Sequence, residues 1–134
     1  FNSAYMKKYC FGRRLCIKSW LMNQSHVVGV GNIYANEALY GAQIHPLRLA
    51  GELSGDEYKK LCSYVKKVLN QAIAQGGTTL KDFSHADGEP GYFQQSLKIY
   101  GRSGLDCDRC GGVIEKIMIN QRSSYFCPVC QINP

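Results

Sequence analysis

The chain has 134 residues, 45% of them hydrophobic, with a formal charge of +6 and a pI near 9.0. That length holds one ordinary domain, or a smaller domain with a stapled appendage. No run approaches the ~18 apolar residues that cross a bilayer and the first twenty residues lack the apolar core of a secretory signal, so the expectation is a soluble, intracellular protein with no membrane role and a polyanionic partner.

Residues 1–23 carry Lys7, Lys8, Arg13, Arg14 and Lys18 with no acid. An ordinary solvated helix is seldom so one-sided, and the basic face is expected here. Residues 2–10 and 13–23 read as short helices, the second with Leu15, Cys16, Ile17, Trp20, Leu21 and Met22 at helical spacing. Val27 to Asn32 then sets Gly29 and Gly31 two positions apart, ahead of a helix-like run from Ile33 to Gly41 that cannot continue through Pro46. This pattern is a double turn feeding a helix. The helix start at Asn32 would offer free N–H groups and a positive dipole end, into which a phosphate fits. The glycines by themselves serve a tight interhelical turn equally well.

Ser54 and Glu57 form a capping box before Tyr58, Leu61, Cys62, Val65, Val68, Leu69, Ala72 and Ile73, whose spacing is that of an amphipathic helix. Gly76-Gly77 stops it. Residues 76–95 show no periodicity, and Gly88-Glu89-Pro90-Gly91 reads as a turn. Aperiodic stretches of this length in compact proteins tend to be functional or disordered.

Seven cysteines is an odd number, and four of them form two C-x-x-C pairs, which favours metal over disulfides. Cys107, Cys110, Cys127 and Cys130 have the spacing C-x2-C-x16-C-x2-C of a zinc ribbon. Each pair can curl both sulfurs toward one ion, and four protein thiolates leave no position for water, so the expected cofactor is one structural Zn2+ per chain. An iron centre is the alternative for the same ligands. A strand-like run from Val113 to Ile119, a polar turn from Asn120 to Ser124, and Tyr125-Phe126 connect the pairs as a hairpin. Cys10, Cys16 and Cys62 are left as buried or half-buried reduced thiols. His26, His45 and His85 lack metal-ligand spacing and read as structural or surface residues. The fold expected is mainly α with a small β-hairpin zinc ribbon, divided into residues 1–95 and 96–134.

Ile17-Lys18 through Leu21-Met22, Val27 to Glu37, Ile44-His45-Pro46, Gln75 to Phe83, Pro90-Gly91-Tyr92-Phe93, Tyr100-Gly101-Arg102 and Arg122 ahead of Tyr125-Phe126-Cys127-Pro128-x-Cys130 occur in this order. Together they resemble the C-terminal half of the bacterial formamidopyrimidine-DNA glycosylase family, over essentially the whole chain. The resemblance implies a helix-two-turn-helix bundle (residues 13–42 carrying the motif) followed by a four-cysteine zinc finger. It implies the DNA-binding half of a base-excision repair glycosylase and AP lyase acting on oxidised purines such as 8-oxoguanine and formamidopyrimidines.

By the same resemblance, Lys18, Asn32, Tyr100, Lys116 and Arg122 would contact DNA, with Arg122 holding the pinched backbone around the extruded nucleotide. Thr78, Thr79, Leu80, Lys81, Asp82 and Phe83 would form a base-capping loop within residues 76–95. Lys18 also reads as a solvated helix lysine, Tyr100 as a packed aromatic, and Lys81 and Asp82 as a local charge pair. The family's nucleophile is an N-terminal proline followed by glutamate. This chain begins Phe1-Asn2, which implies a fragment without catalytic residues of its own. The implied partners are double-stranded DNA with oxidised purines or abasic sites and the N-terminal catalytic domain of the same protein, with the protein a monomer in the bacterial cytoplasm, at the nucleoid. An endonuclease VIII-like sibling and a non-enzymatic zinc-ribbon adaptor are the competing readings; the sequence from Thr78 to Phe83 favours the purine enzyme.

Overall fold

A computed structural model describes residues 2–23, 31–74 and 97–133. Helix α1 (Ser3–Cys10) is opened by Asn2, whose side chain accepts the Tyr5 N–H at 2.8 Å, the usual way an amide relieves an orphan donor of the first turn. Helix α2 spans only Ile17–Met22, shorter than the 13–23 that periodicity suggests. The cause is non-local: Cys16 bridges to Leu49 in antiparallel fashion, and the Ile17 N–H and Leu15 carbonyl are bonded to Arg48 and Ala50. These groups are spent on an extended pairing before a helix can use them.

Helix α3 (Asn32–Ala42) begins one residue earlier than the apolar pattern suggests, and it ends at Gln43 in the left-handed conformation, whose N–H returns to the Leu39 and Tyr40 carbonyls. After a single 3-10 turn (Ala50–Glu52), helix α4 runs Gly55–Ala74. The capping box is realised in both directions: Glu57 N–H donates to Ser54 Oγ at 3.1 Å, and Ser54 N–H to Glu57 Oε1 at 2.8 Å. Arg48 adds a two-pronged ion pair to the same carboxylate at 2.7 and 3.0 Å. Helices α3 and α4 cross closely at Gly41, where a Cβ would run into the Tyr64 ring.

Met6, Cys10, Ile17, Trp20, Leu21, Ala38, Leu39, Ile44, Leu61 and Val65 are buried between the four helices. Burial pushes the Cys10 thiol up to about 12, so it stays protonated; Cys62 is buried and Cys16 half-buried, with no disulfide among them. Strands β1 (Glu115–Ile119) and β2 (Arg122–Phe126) pair antiparallel, Ile119 opposite Arg122. Their two-residue turn has positive φ at both Asn120 and Gln121, the twist that lets a tight hairpin match its strands. Val113, expected within the strand, instead bridges to Asp106. A second core of Tyr40, Ile99, Cys107, Ile114 and Cys127 lies where the hairpin module meets α3.

Candidate nucleic-acid interface and metal centre

The cysteine spacing delivers its geometry. The sulfurs of Cys107, Cys110, Cys127 and Cys130 all lie within 4.8 Å of one another, with Cys107 to Cys130 at 3.9 Å and Cys110 to Cys127 at 3.4 Å. A tetrahedral Zn–S bond of about 2.3 Å requires sulfur separations of about 3.8 Å, so the four residues fit one zinc ion with every position filled by protein. The Cys107 knuckle is shaped by the Gly111 N–H on the Cys107 carbonyl and the Cys107 N–H on the Gly112 carbonyl.

The module is joined to the helices by buried polar side chains that hydropathy patterning does not reveal. Glu37 on α3 accepts the backbone N–H groups of Lys98, Ile99 and Tyr100 at 2.8, 2.9 and 2.8 Å. Burial pushes its carboxyl above the ordinary range in spite of those bonds. Asn36 accepts the Tyr125 N–H at 2.7 Å. Gln131, 1% exposed, accepts the Cys127 N–H and donates to the Ile44 carbonyl. Asn120 in the hairpin turn donates to Ser19 Oγ at 2.6 Å. His45 is structural: its Nδ1 accepts the Leu47 N–H, its ring packs on Phe126 at 4.4 Å, and burial, followed by the charge of Arg48, holds it below its ordinary pKa and thus neutral.

Lys18 overturns one sequence reading. It is 1% exposed and donates from Nζ to Ser124 Oγ at 2.5 Å and to the Ser123 carbonyl at 3.3 Å, so it is no solvated helix lysine. Lys7, Lys8, Arg13 and Arg14 do lie exposed. Asn32 Nδ2 meets the same Ser123 carbonyl at 3.1 Å, while its buried Oδ1 has no partner among the described residues. The N-cap of α3 is Gly31, which has no side chain to cap the first turn.

Arg122, next along β2, is exposed. With Lys18, Ser19, Met22, Asn23, Ile119 and Asn120 it lines an open recess of about 180 Å³. The ion pairs among the described residues are Arg48–Glu57 and Arg102–Asp108, and no described residue lining the recess is acidic, so the Lys18 and Arg122 charges meet there without a carboxylate among the described residues. Burial first, then the Cys16 and Arg122 charges in opposite directions, set the Lys18 ammonium, whose pKa falls to about 8. An anion in the recess would relieve that repulsion.

Tyr100 is half-buried, edge-on to Tyr125 at 5.0 Å. Lys116 is exposed on β1 opposite Tyr125. Lys18 and Asn32 therefore converge on Ser123 and Arg122 shares the recess with Lys18, whereas Tyr100 and Lys116 share the neighbourhood of Tyr125. Thr78, Thr79, Leu80, Lys81, Asp82 and Phe83 lie outside the described residues, as do His26 and His85.

Two family models match the chain: the formamidopyrimidine-DNA glycosylase H2TH domain over residues 1–84, and the zinc finger found in FPG and IleRS over residues 104–132. The formamidopyrimidine-DNA glycosylase of Edwardsiella ictaluri is 53% identical over 131 residues, covering 98% of this chain and 49% of that protein. That of Hydrogenovibrio crunogenus is also 53% identical, over 98% of this chain and 47% of its own length. Among solved structures, a complex of Lactococcus lactis Fpg with abasic-site-containing DNA matches with TM-score 0.88 and 35% identity, over 99% of this chain and 49% of that one. The MutM (Fpg) protein of Thermus thermophilus matches with TM-score 0.87 and 37% identity, over 98% and 50%. The chain thus spans about half the length of the relatives it matches.

Proposed function

The chain belongs to the formamidopyrimidine-DNA glycosylase family, and from that premise we propose that it forms the DNA-holding half of a base-excision repair glycosylase and AP lyase acting on oxidised purines. Residues 1–95 make the helical part of this half and residues 96–134 the zinc module, which acts as a rigid arm. The observation that carries the reading is the pairing of the Lys18 and Arg122 charges over a recess that has no acidic side chain among its described lining residues. A phosphodiester suits this arrangement: the planar guanidinium can bind it through two oxygens, and its negative charge offsets the repulsion between Arg122 and the buried ammonium.

In this reading Arg122 touches the phosphate directly and Asn32 offers it the second hydrogen of Nδ2. Lys18 acts mainly from beneath, fixing Ser123 and Ser124 so that Arg122 is held at one height. Tyr100 and Lys116 flank the same strand. Thr78 to Phe83 cap the extruded base, and energy from backbone contacts offsets the few kcal/mol that base extrusion costs. The ligand is duplex DNA containing oxidised purines or abasic sites. Catalytic chemistry resides in a preceding domain of the same polypeptide, and the protein works as a monomer in the bacterial cytoplasm. Fluorescence anisotropy with a labelled duplex carrying an abasic-site analogue tests this. Binding whose log affinity falls linearly with log salt is expected, and no measurable binding at about 50 mM salt would overturn it.

A further inference from the structure

One ligand sulfur of the metal centre meets a side chain of the helical layer. Tyr40, in the last turn of α3 and 4% exposed, brings its hydroxyl to 3.0 Å from Cys107 Sγ. A zinc-bound thiolate carries no proton, which fixes the direction of this bond: the phenol O–H donates and the sulfur accepts. The Arg109 N–H also points at Cys107 Sγ at 3.4 Å, and the Gly112 N–H at Cys110 Sγ at 3.3 Å. These two donors come with the knuckle backbone whatever the side chains are. Tyr40 differs, because it is the one donor to a ligand sulfur, among the described residues, that comes from the helical domain. Arg109 braces it, with its guanidinium 4.8 Å over the Tyr40 ring and Nη1 donating to the Tyr40 carbonyl at 3.2 Å.

Four thiolates around one Zn2+ leave a net charge of about −2 on the cluster. Donors outside the ligand set draw that charge off the sulfurs, and removing such a donor typically weakens a metal site by about 10- to 100-fold. We propose that Tyr40 is a positioning residue of the zinc centre, whose hydroxyl makes Cys107 the least nucleophilic of the four thiolates and ties zinc retention to helix α3.

The test uses the 134-residue chain and Tyr40→Phe, which keeps the ring under Arg109 and deletes only the O–H. In cobalt-substituted protein the thiolate-to-metal charge-transfer band should move to longer wavelength in the variant, because an unbonded sulfur gives up its electron more readily. Zinc release during iodoacetamide treatment, in which a thiolate sulfur displaces iodide from carbon, should accelerate about tenfold. Coincident spectra and equal release rates would overturn the proposal, since a ring that only fills space is still present in the variant. Should Tyr40→Phe fail to fold, the order of alkylation in the wild-type chain, mapped by mass spectrometry, decides between the two equally buried ligands: Cys107 after Cys127 is the expected order, and Cys107 before or together with Cys127 overturns the assignment.

Discussion

Replacing Glu37 by leucine should unfasten the zinc module from α3. The wild-type carboxylate receives three backbone N–H groups, that of Ile99 buried and those of Lys98 and Tyr100 partly so, and leucine offers none of them an acceptor. A buried donor left unpaired costs about 1–3 kcal/mol; counting the Ile99 amide in full and the other two at about half gives about 2–6 kcal/mol, roughly 4 in the middle of that range. Relief from burying a charge, visible in the upward push on the Glu37 pKa, offsets part of this and brings the net to about 3 kcal/mol. A loss of about 3 kcal/mol is a large share of the 5–15 kcal/mol that holds a domain folded. For a chain of this size it lowers Tm by roughly 10 °C or more. Thermal melts followed by circular dichroism at saturating zinc, with hydrogen exchange at the Ile99 and Tyr100 amides, provide the assay. Glu37→Gln should cost clearly less, because it keeps one acceptor and the site already leans toward an uncharged side chain. A Leu variant within about 1 kcal/mol of wild type, with both amides still protected, would refute the reasoning.

Strong chelation should melt residues 105–131 while leaving helices α1–α4 largely folded, because metal binding supplies the folding energy of so small a hairpin; zinc below about half an equivalent in native protein with the hairpin still ordered would contradict this. Lys18 titrates near 8 when folded and at about 10.5 when unfolded. Between those values the unfolded chain holds more protons, so stability should rise as pH increases from about 8 toward 10.5. Lys18→Met should lack this rise in urea titrations across that range, and an unchanged profile in the variant would assign the rise to another group.

Most of the fold was legible in the sequence where the determinants are local. Ser54 and Glu57 announce α4 because a capping box is complete within four residues, and the cysteine pairs announce the metal because ligand spacing is itself the signal. The H2TH and zinc-finger matches agree with the motifs from Ile17 to Cys130. What escaped were contacts between residues far apart in sequence. Lys18 joins Ser123 and Ser124 across more than a hundred positions, and a lysine in a basic run carries no mark of burial. Asn36, Glu37 and Gln131 are buried polar anchors whose partners are backbone groups of a distant segment; such partners leave no pattern in the sequence. The shortened α2 has the same origin in its pairing with Leu49.

The central claim is that the zinc hairpin holds Arg122 over a phosphate site built with Lys18 and α3. Anisotropy titrations of duplex DNA at several salt concentrations, comparing wild type, Arg122→Ala and Lys7→Ala with zinc content verified in each, test it most directly. A preorganised charged contact contributes roughly 1.5–3 kcal/mol, so Arg122→Ala should weaken binding about tenfold or more and reduce the salt slope by about 0.9. Lys7, exposed on α1, should matter much less when replaced. Equal affinities and equal slopes for wild type and Arg122→Ala would make Arg122 a solvated surface residue and contradict the claim.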